Sequence, residues 1–175
     1  TYSTLIDAWA SAAALVTKGQ TMPPTDCGKK AESILRDMWN RSETHPNMRP
    51  DQFTYNAVLN AWAKSGDPDA VLNGERILAE MWKRYEAGDK KIVPNRWSYT
   101  CLIDAWSHST SEDRGKHAEA VLGEMWQRHM SKTHSNLDLR PDKYPYTAVM
   151  NAWAKSGHPD TIANIQRLLQ DMWRR

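Results

Sequence analysis

The chain has 175 residues, a formal net charge of +2 and 40% hydrophobic residues, with a pI near 8.5. So small a charge does not indicate nucleic-acid binding by itself, and no run approaches the roughly 18 consecutive apolar residues of a membrane span. The two cysteines, Cys27 in a linker and Cys101 in a helix, offer neither metal-ligand spacing nor a disulfide framework, which favours a reducing compartment.

One phrase occurs four times along the chain. Its clearest copy reads TYNAVLNAWAKSG at residues 54–66, and related copies occupy residues 1–10, 98–107 and 145–157. A second phrase, which ends in Met-Trp, follows each copy at residues 31–39, 74–82, 118–126 and 165–173. Eight of the nine tryptophans occupy the two repeat positions, and only Trp97 lies elsewhere. Self-similarity at this period predicts an α-solenoid, in which each unit completes its core against its neighbours.

Both phrases have the periodicity of an α-helix. In the first, Tyr55, Leu59 and Trp62 lie at i, i+4 and i+7, and in the second, Ile77 and Met81 lie on one stripe. Each repeat is therefore predicted to be a pair of helices.

The SGDP tetrapeptide at residues 65–68 separates the two helices of a pair. Gly66 can adopt the left-handed conformation that ends a helix, Asp67 can cap the next helix and Pro68 suits its first turn. The SGHP tetrapeptide at residues 156–159 repeats this pattern.

The first repeat is predicted to contain a helix at residues 1–15, a loop at 16–25 and a helix at 26–41. The loop is an insertion, because Trp9 and Trp39 are 30 residues apart whereas the paired tryptophans of later repeats are 20 apart. The whole chain is predicted to be a single array with repeats at residues 1–51, 52–95, 96–142 and 143–175. The last repeat is incomplete, and we expect a fragment of a longer protein because neither end carries a polar capping repeat.

Each linker closes on proline followed by an acidic or amide residue: Asp51, Asn95 and Asp142. These residue types cap helices, and the residue before a proline avoids helical geometry, so a helix start explains the pattern on its own. A second role in binding is left open at this point.

Taken together, the tandem phrases YNAVLNAWAKSG and AExVLxEM and the Pro-Asp closure resemble the pentatricopeptide repeat (PPR) family over nearly the whole chain. Two features depart from that family's pattern. The repeat tyrosines are 53, 44 and 47 residues apart, and Trp replaces smaller apolar residues on both helices. The resemblance implies an all-α, right-handed superhelical solenoid of about four helix-turn-helix repeats.

The resemblance also implies sequence-selective binding of single-stranded RNA, one base per repeat, in mitochondria or plastids, where such proteins serve RNA processing, stability or translation. In the family, a base is read by the residue after the repeat Tyr together with the closing Asp or Asn. Carried over, the reading pairs are Ser3 with Asp51, Asn56 with Asn95, Thr100 with Asp142, and Thr147 without a partner. Their hydroxyl, amide and carboxylate groups can bond a base edge. The family's code then favours 5′-G-(C or U)-G-purine-3′.

Two further groups of residues support contact with RNA. An aromatic residue stands three positions before a reader in three repeats: Phe53, Trp97 and Tyr144. These rings are predicted to stack on bases, although stapling of the helix start is an alternative. Lys64 and Lys155 end polar stripes that begin at Asn56 and Thr147, away from the apolar contacts, and are predicted to contact the RNA backbone. Basic residues on the second helices, such as Arg84 and Arg175, are expected to be solvated.

No catalytic constellation, metal site or cofactor motif is found in the sequence. His129 and His134 lie in a polar linker with no Cys or carboxylate at ligand spacing. We therefore expect no enzyme, no metal, no cofactor, no membrane contact and no small-molecule substrate. The alternative function is a protein-binding scaffold, because helical-pair solenoids also present concave surfaces to protein partners.

Overall fold

The computed structural model describes residues 26–134 and 136–175, and these residues form seven α-helices and no strand. The helices are α1 (Asp26–Ser42), α2 (Gln52–Ser65), α3 (Ala70–Glu86), α4 (Arg96–His108), α5 (Arg114–Met130), α6 (Lys143–Ser156) and α7 (Thr161–Arg174). Short 3-10 turns lie at Pro46–Met48 and Lys132–His134. The all-α fold of repeated helical pairs is confirmed. The predicted helix at 1–15 and loop at 16–25 lie outside the described residues.

The chain divides into two compact units, residues 1–94 and 95–175. In the described part of the first unit, α2 packs against both α1 and α3. In the second unit, α4 and α6 pack against each other, and each also packs against α5, while α7 packs on α6. Within its unit, each of α2 and α6 thus contacts the second helix of its own repeat and that of the preceding one. The single array over the whole chain and its right-handed superhelix stay predictions.

The turns between α2 and α3 and between α6 and α7 follow the sequence pattern at their glycines. Gly66 and Gly157 have φ angles of 64° and 68° and end α2 and α6 in the left-handed conformation, as predicted. The prediction for Asp67 was wrong. Its carboxylate accepts from the backbone N–H of Asp69 at 2.9 Å within the turn, and α3 begins only at Ala70. Such a local turn competes successfully with a helix cap.

An ion pair between an exposed lysine and a buried aspartate joins this turn to α1. Lys29 Nζ lies 3.0 Å from Asp67 Oδ2, and the Asp67 side chain is buried. Burial by itself would raise the pKa of Asp67, but the Asp69 N–H and the Lys29 ammonium hold it below its ordinary value. Cys27, expected in a linker, instead lies buried in α1, because the helix begins one residue before it.

The repeat tryptophan of α1 bonds to the first helix of the next repeat. Trp39 Nε1 donates to Tyr55 Oη at 3.1 Å, and Tyr55 Oη donates to Glu80 Oε1 at 2.7 Å. Arg84 is the fourth member of the cluster. Its Nε donates to Glu80 Oε1 at 2.8 Å, and its guanidinium carbon lies 3.9 Å from the centroid of the Trp39 ring. Burial and the bond to Glu80 raise the pKa of Tyr55, so its hydroxyl stays protonated and can donate at neutral pH.

The second unit contains the same cluster. Trp126 Nε1 donates to Tyr146 Oη at 3.1 Å, Tyr146 Oη donates to Asp171 Oδ2 at 2.6 Å, and Arg175 bonds Asp171 at 2.7 Å. The Arg175 guanidinium lies 4.5 Å from the Trp126 ring centroid. Burial and the bond to Asp171 raise the pKa of Tyr146 to about 12. The expectation that second-helix arginines are merely solvated is wrong for Arg84 and Arg175, because each stacks on an indole of the preceding repeat.

The other repeat tryptophan packs on a glycine. Gly28 of α1 faces the indole of Trp62, and Gly115 of α5 faces the indole of Trp153. A Cβ atom added to either glycine would lie closer than 3.0 Å to ring atoms. These two glycines therefore let a first helix approach the preceding second helix closely enough to bury Trp62 and Trp153.

Candidate nucleic-acid interface

The closing residues of the repeats are helix N-caps. Asp51 Oδ1 accepts from the backbone N–H of Thr54 at 3.0 Å, and Asn95 Oδ1 accepts from that of Ser98 at 3.1 Å; each forms a capping box. Asp142 Oδ1 accepts from the backbone N–H of Tyr144 at 3.0 Å. The helix-start interpretation of the closing residues is confirmed. Their predicted role in reading bases would come in addition to capping.

The residues after the repeat tyrosines are more buried than the sequence indicated. Asn56 is 6% exposed and Thr100 is 8% exposed, whereas Thr147 is exposed. The prediction that Asn56 begins a stripe on the side away from the apolar contacts is therefore wrong. Residues 54–59 are all buried, so the stretch of α2 that follows Phe53 has no exposed face. Ser3, the first predicted reader, lies outside the described residues.

The two threonine readers bond to their own helices. Thr100 Oγ1 donates to Arg96 O at 2.8 Å, and Thr147 Oγ1 donates to Lys143 O at 2.7 Å. Because each hydroxyl proton is used in this way, the oxygen can offer only lone pairs to another molecule. A base opposite either threonine would therefore have to present an N–H group.

The three predicted stacking residues are solvent-exposed aromatics in the first turns of first helices. Phe53 is 69% exposed, Trp97 is 53% exposed and Tyr144 is 59% exposed. Each lies two residues after the helix cap. Exposed faces of this size do not pack as a hydrophobic staple would. Lys143 Nζ lies 5.2 Å from the Tyr144 ring centroid. The rings are thus accessible to a flat ligand.

The two predicted backbone-contact residues are exposed in the last turns of α2 and α6. Lys64 and Lys155 lie two residues before the glycines that end these helices. Asp104, at the equivalent of Asn60 and Asn151, is half-buried in α4. The stripe of the third repeat thus carries a negative charge where the second and fourth repeats carry amides.

Arg96 pairs with two acidic residues near the end of its repeat. Its Nη1 lies 2.8 Å from Asp142 Oδ2, and its Nη2 lies 3.0 Å from Asp138 Oδ2. The backbone N–H of Arg96 also donates to Asp138 O at 2.8 Å. Sequence reasoning missed this residue, because 46 positions separate Arg96 from Asp142 along the chain.

The described residues also bear on metal binding and membrane insertion. Among the described residues, no group of three or more His, Cys, Asp or Glu side chains could hold a metal ion. None of the helices in those residues combines the length and the apolar character that crossing a bilayer requires.

Comparison with known proteins places the repeat in a family. Residues 33–109 match the family model of the pentatricopeptide repeat domain, a stretch that runs from α1 into the turn after α4. A search of curated proteins gave no significant match. The matched segment belongs to the PPR family, as the resemblance indicated. That family consists of helical-repeat RNA-binding proteins, which are generally non-enzymatic and commonly organellar.

Proposed function

We propose that this chain binds single-stranded RNA in a sequence-selective manner, with one repeat addressing one base. The observation that carries the proposal is an exposed ring at the same position of three first helices, namely Phe53, Trp97 and Tyr144. An exposed aromatic face offers stacking to any unpaired base, worth about 1 to 3 kcal/mol per base. Family membership and helical-repeat architecture support the same proposal.

Base choice in this proposal comes from the reading pairs. Thr100 offers lone pairs and Asp142 offers a carboxylate, so the third repeat favours a base with N–H groups on its edge, such as guanine. The array as a whole is proposed to read 5′-G-(C or U)-G-purine-3′, with Asn56 and Asn95 selecting the pyrimidine. Lys64 and Lys155 are proposed to contact phosphates, so binding should weaken with salt.

The physiological role is proposed to be processing, stabilisation or translational control of an RNA in mitochondria or plastids. We propose no catalytic step, so a bound RNA should be recovered intact after incubation. Imaging of a tagged parent protein beside organelle markers tests the location, and a purely cytosolic signal would contradict it.

Selection from a random single-stranded RNA pool at low and moderate salt tests the binding proposal. We expect enrichment of G-pyrimidine-G. Phe53→Ala, Trp97→Ala and Tyr144→Ala should each weaken binding of the selected RNA by roughly 5- to 150-fold, the equivalent of one lost stacking contact.

Leu72→Ala is the matched control. Leu72 is also a large exposed apolar residue, but it lies on a second helix, so its loss should leave RNA binding unchanged. If no RNA is retained even at low salt, the RNA proposal fails and a protein-binding scaffold becomes the first alternative.

A further inference from the structure

We infer that Arg96 is a positioning residue for base recognition by the third repeat, an inference that rests on the proposed function. Arg96 is the first residue of α4 and lies directly after the closing residue Asn95. The family's reading pair uses two positions, and Arg96 occupies neither of them. Its contacts nevertheless connect both members of the pair, Thr100 and Asp142.

The carboxylate of Asp142 is held from two directions. Oδ1 accepts from the backbone N–H of Tyr144 at 3.0 Å, and Oδ2 accepts from Arg96 Nη1 at 2.8 Å. A guanidinium bond to a carboxylate is among the stronger hydrogen bonds in proteins. With one bond on each oxygen, the plane of the carboxylate is fixed, and each oxygen keeps a lone pair for another donor.

The other member of the pair is also bonded to Arg96. The Thr100 hydroxyl donates to the backbone carbonyl of Arg96 at 2.8 Å. The backbone of this residue therefore orients one reader and its side chain orients the other. A base that bonds to both readers would meet two groups whose relative position is set by Arg96.

The arginine is peculiar to this repeat. The equivalent residues after the other closing positions are Gln52 and Lys143. Around Asp51, the hydrogen bonds from Thr54 both end on Oδ1. We therefore expect the third reading pair to be more rigid than a pair that relies on the helix cap alone.

Two physical consequences follow for RNA. A carboxylate that is already oriented loses less conformational freedom on binding, which sharpens the difference between a matching and a non-matching base. The guanidinium also compensates the negative charge of Asp142, which would otherwise repel the phosphates of the strand. Removal of Arg96 should thus reduce discrimination at one base and leave the others unaffected.

The test uses the selected RNA in four versions that differ only at the third base. For the unaltered protein, we expect about tenfold or greater preference for guanine over the worst base. Arg96→Gln should bring this preference below about threefold, whereas Arg96→Lys, which keeps a charge and an N–H donor, should restore part of it. The preference at the second base serves as the internal reference.

Asp138→Asn is the matched control for a merely structural role. It weakens the other ion pair of Arg96, at 3.0 Å, without touching the bond to Asp142. An unchanged or increased guanine preference in Arg96→Gln would overturn the inference, as would an equal loss in Asp138→Asn. If Arg96→Gln does not fold by circular dichroism, Arg96→Lys decides: an unreduced preference in this variant overturns the inference. Failure of the unaltered protein to bind any of the four RNAs would instead reject the proposed function.

Discussion

The two compact units share their aromatic packing, but the turn between α2 and α3 in the first unit differs from the turn between α6 and α7 in the second. In the first unit, Asp67 in the turn after α2 forms an ion pair with Lys29 of α1 at 3.0 Å. In the second unit, the equivalent residue is His158, and Lys116 of α5 pairs with Asp113 at 2.7 Å instead. The Trp-Tyr-acid-Arg cluster and the glycine-tryptophan contact are present in both units. The contacts that both units share thus define how repeats pack, and the turn ion pair is an additional contact in the first unit.

The largest expected effect tests the shared glycine contact. Gly28→Ala and Gly115→Ala should each lower the free energy of unfolding by about 1 to 3 kcal/mol, because the new Cβ overlaps an indole that cannot move without repacking. Urea unfolding monitored by circular dichroism measures this loss.

Gly123→Ala is the control for those two variants. No atom lies within 4 Å of a Cβ added to Gly123, which is exposed in α5. The substitution should stabilise the helix by up to about 1 kcal/mol. Destabilisation by all three substitutions alike would show that the indole contact is not the cause.

The next effect compares the two aromatic clusters. Tyr55→Phe and Tyr146→Phe remove the hydroxyl that accepts from one indole and donates to one carboxylate, and each should cost about 1 to 3 kcal/mol. Tyr55 and Tyr146 are both buried, at 0% and 1% exposure, so we expect losses of similar size. Hydrogen exchange of the α2 and α6 amides locates each effect, and a loss confined to one of the two helices would contradict the equivalence of the clusters.

A smaller effect is the pH dependence of the stability that the Asp67 ion pair gives to the turn after α2. The pKa of Asp67 lies below its ordinary 3.8 in the folded state, so its ion pair stabilises the fold above that pH. This stabilisation is lost as the pH falls through the folded pKa. Asp67→Asn should lower the Tm by about 2 to 4 °C at pH 7, and the difference should shrink in acid.

Lys29→Gln provides the comparison for the acid titration. It removes the other partner of the same ion pair, so its effect on the Tm should shrink over the same acid range. A pH-independent effect of Asp67→Asn would remove the ion pair as the explanation.

The smallest effect concerns the two exposed lysines. Lys64→Ala and Lys155→Ala should each lower the slope of log affinity for RNA against log salt by about 0.7, the value for one lost phosphate contact on a single strand. Lys83→Ala, on the second helix α3, should leave the slope unchanged. Equal slopes for all three variants would contradict the assignment of Lys64 and Lys155.

Local signals explain which parts of the structure were predictable. Helix starts at Asp51, Asn95 and Asp142 and a helix end at Gly66 depend on residues within one turn, and all four are found. The predicted helix 26–41 agrees with Asp26–Ser42 for the same reason. Periodicity thus suffices for the helical pairs.

Contacts between distant positions were not predictable. Trp39 meets Tyr55 and Arg84, and Arg96 meets Asp142, only after helices have packed. The burial of Asn56 also depends on neighbours that its own helix does not specify. The candidate readers could be identified from the repeat pattern. Their burial and hydrogen bonds could not be predicted, because these depend on residues that are distant in the sequence.

Under the proposed function, the capping role of the closing residues constrains how the protein could acquire a new RNA target. Asp51, Asn95 and Asp142 each satisfy a backbone N–H at a helix start, so a substitution made there to alter the proposed base choice also changes folding stability. Replacement by a residue without a capping oxygen costs about 0.5 to 2 kcal/mol. Only Asp, Asn, Ser and Thr combine a capping oxygen with a polar group that can face a base. Few residue types are therefore available to evolution or redesign at this position.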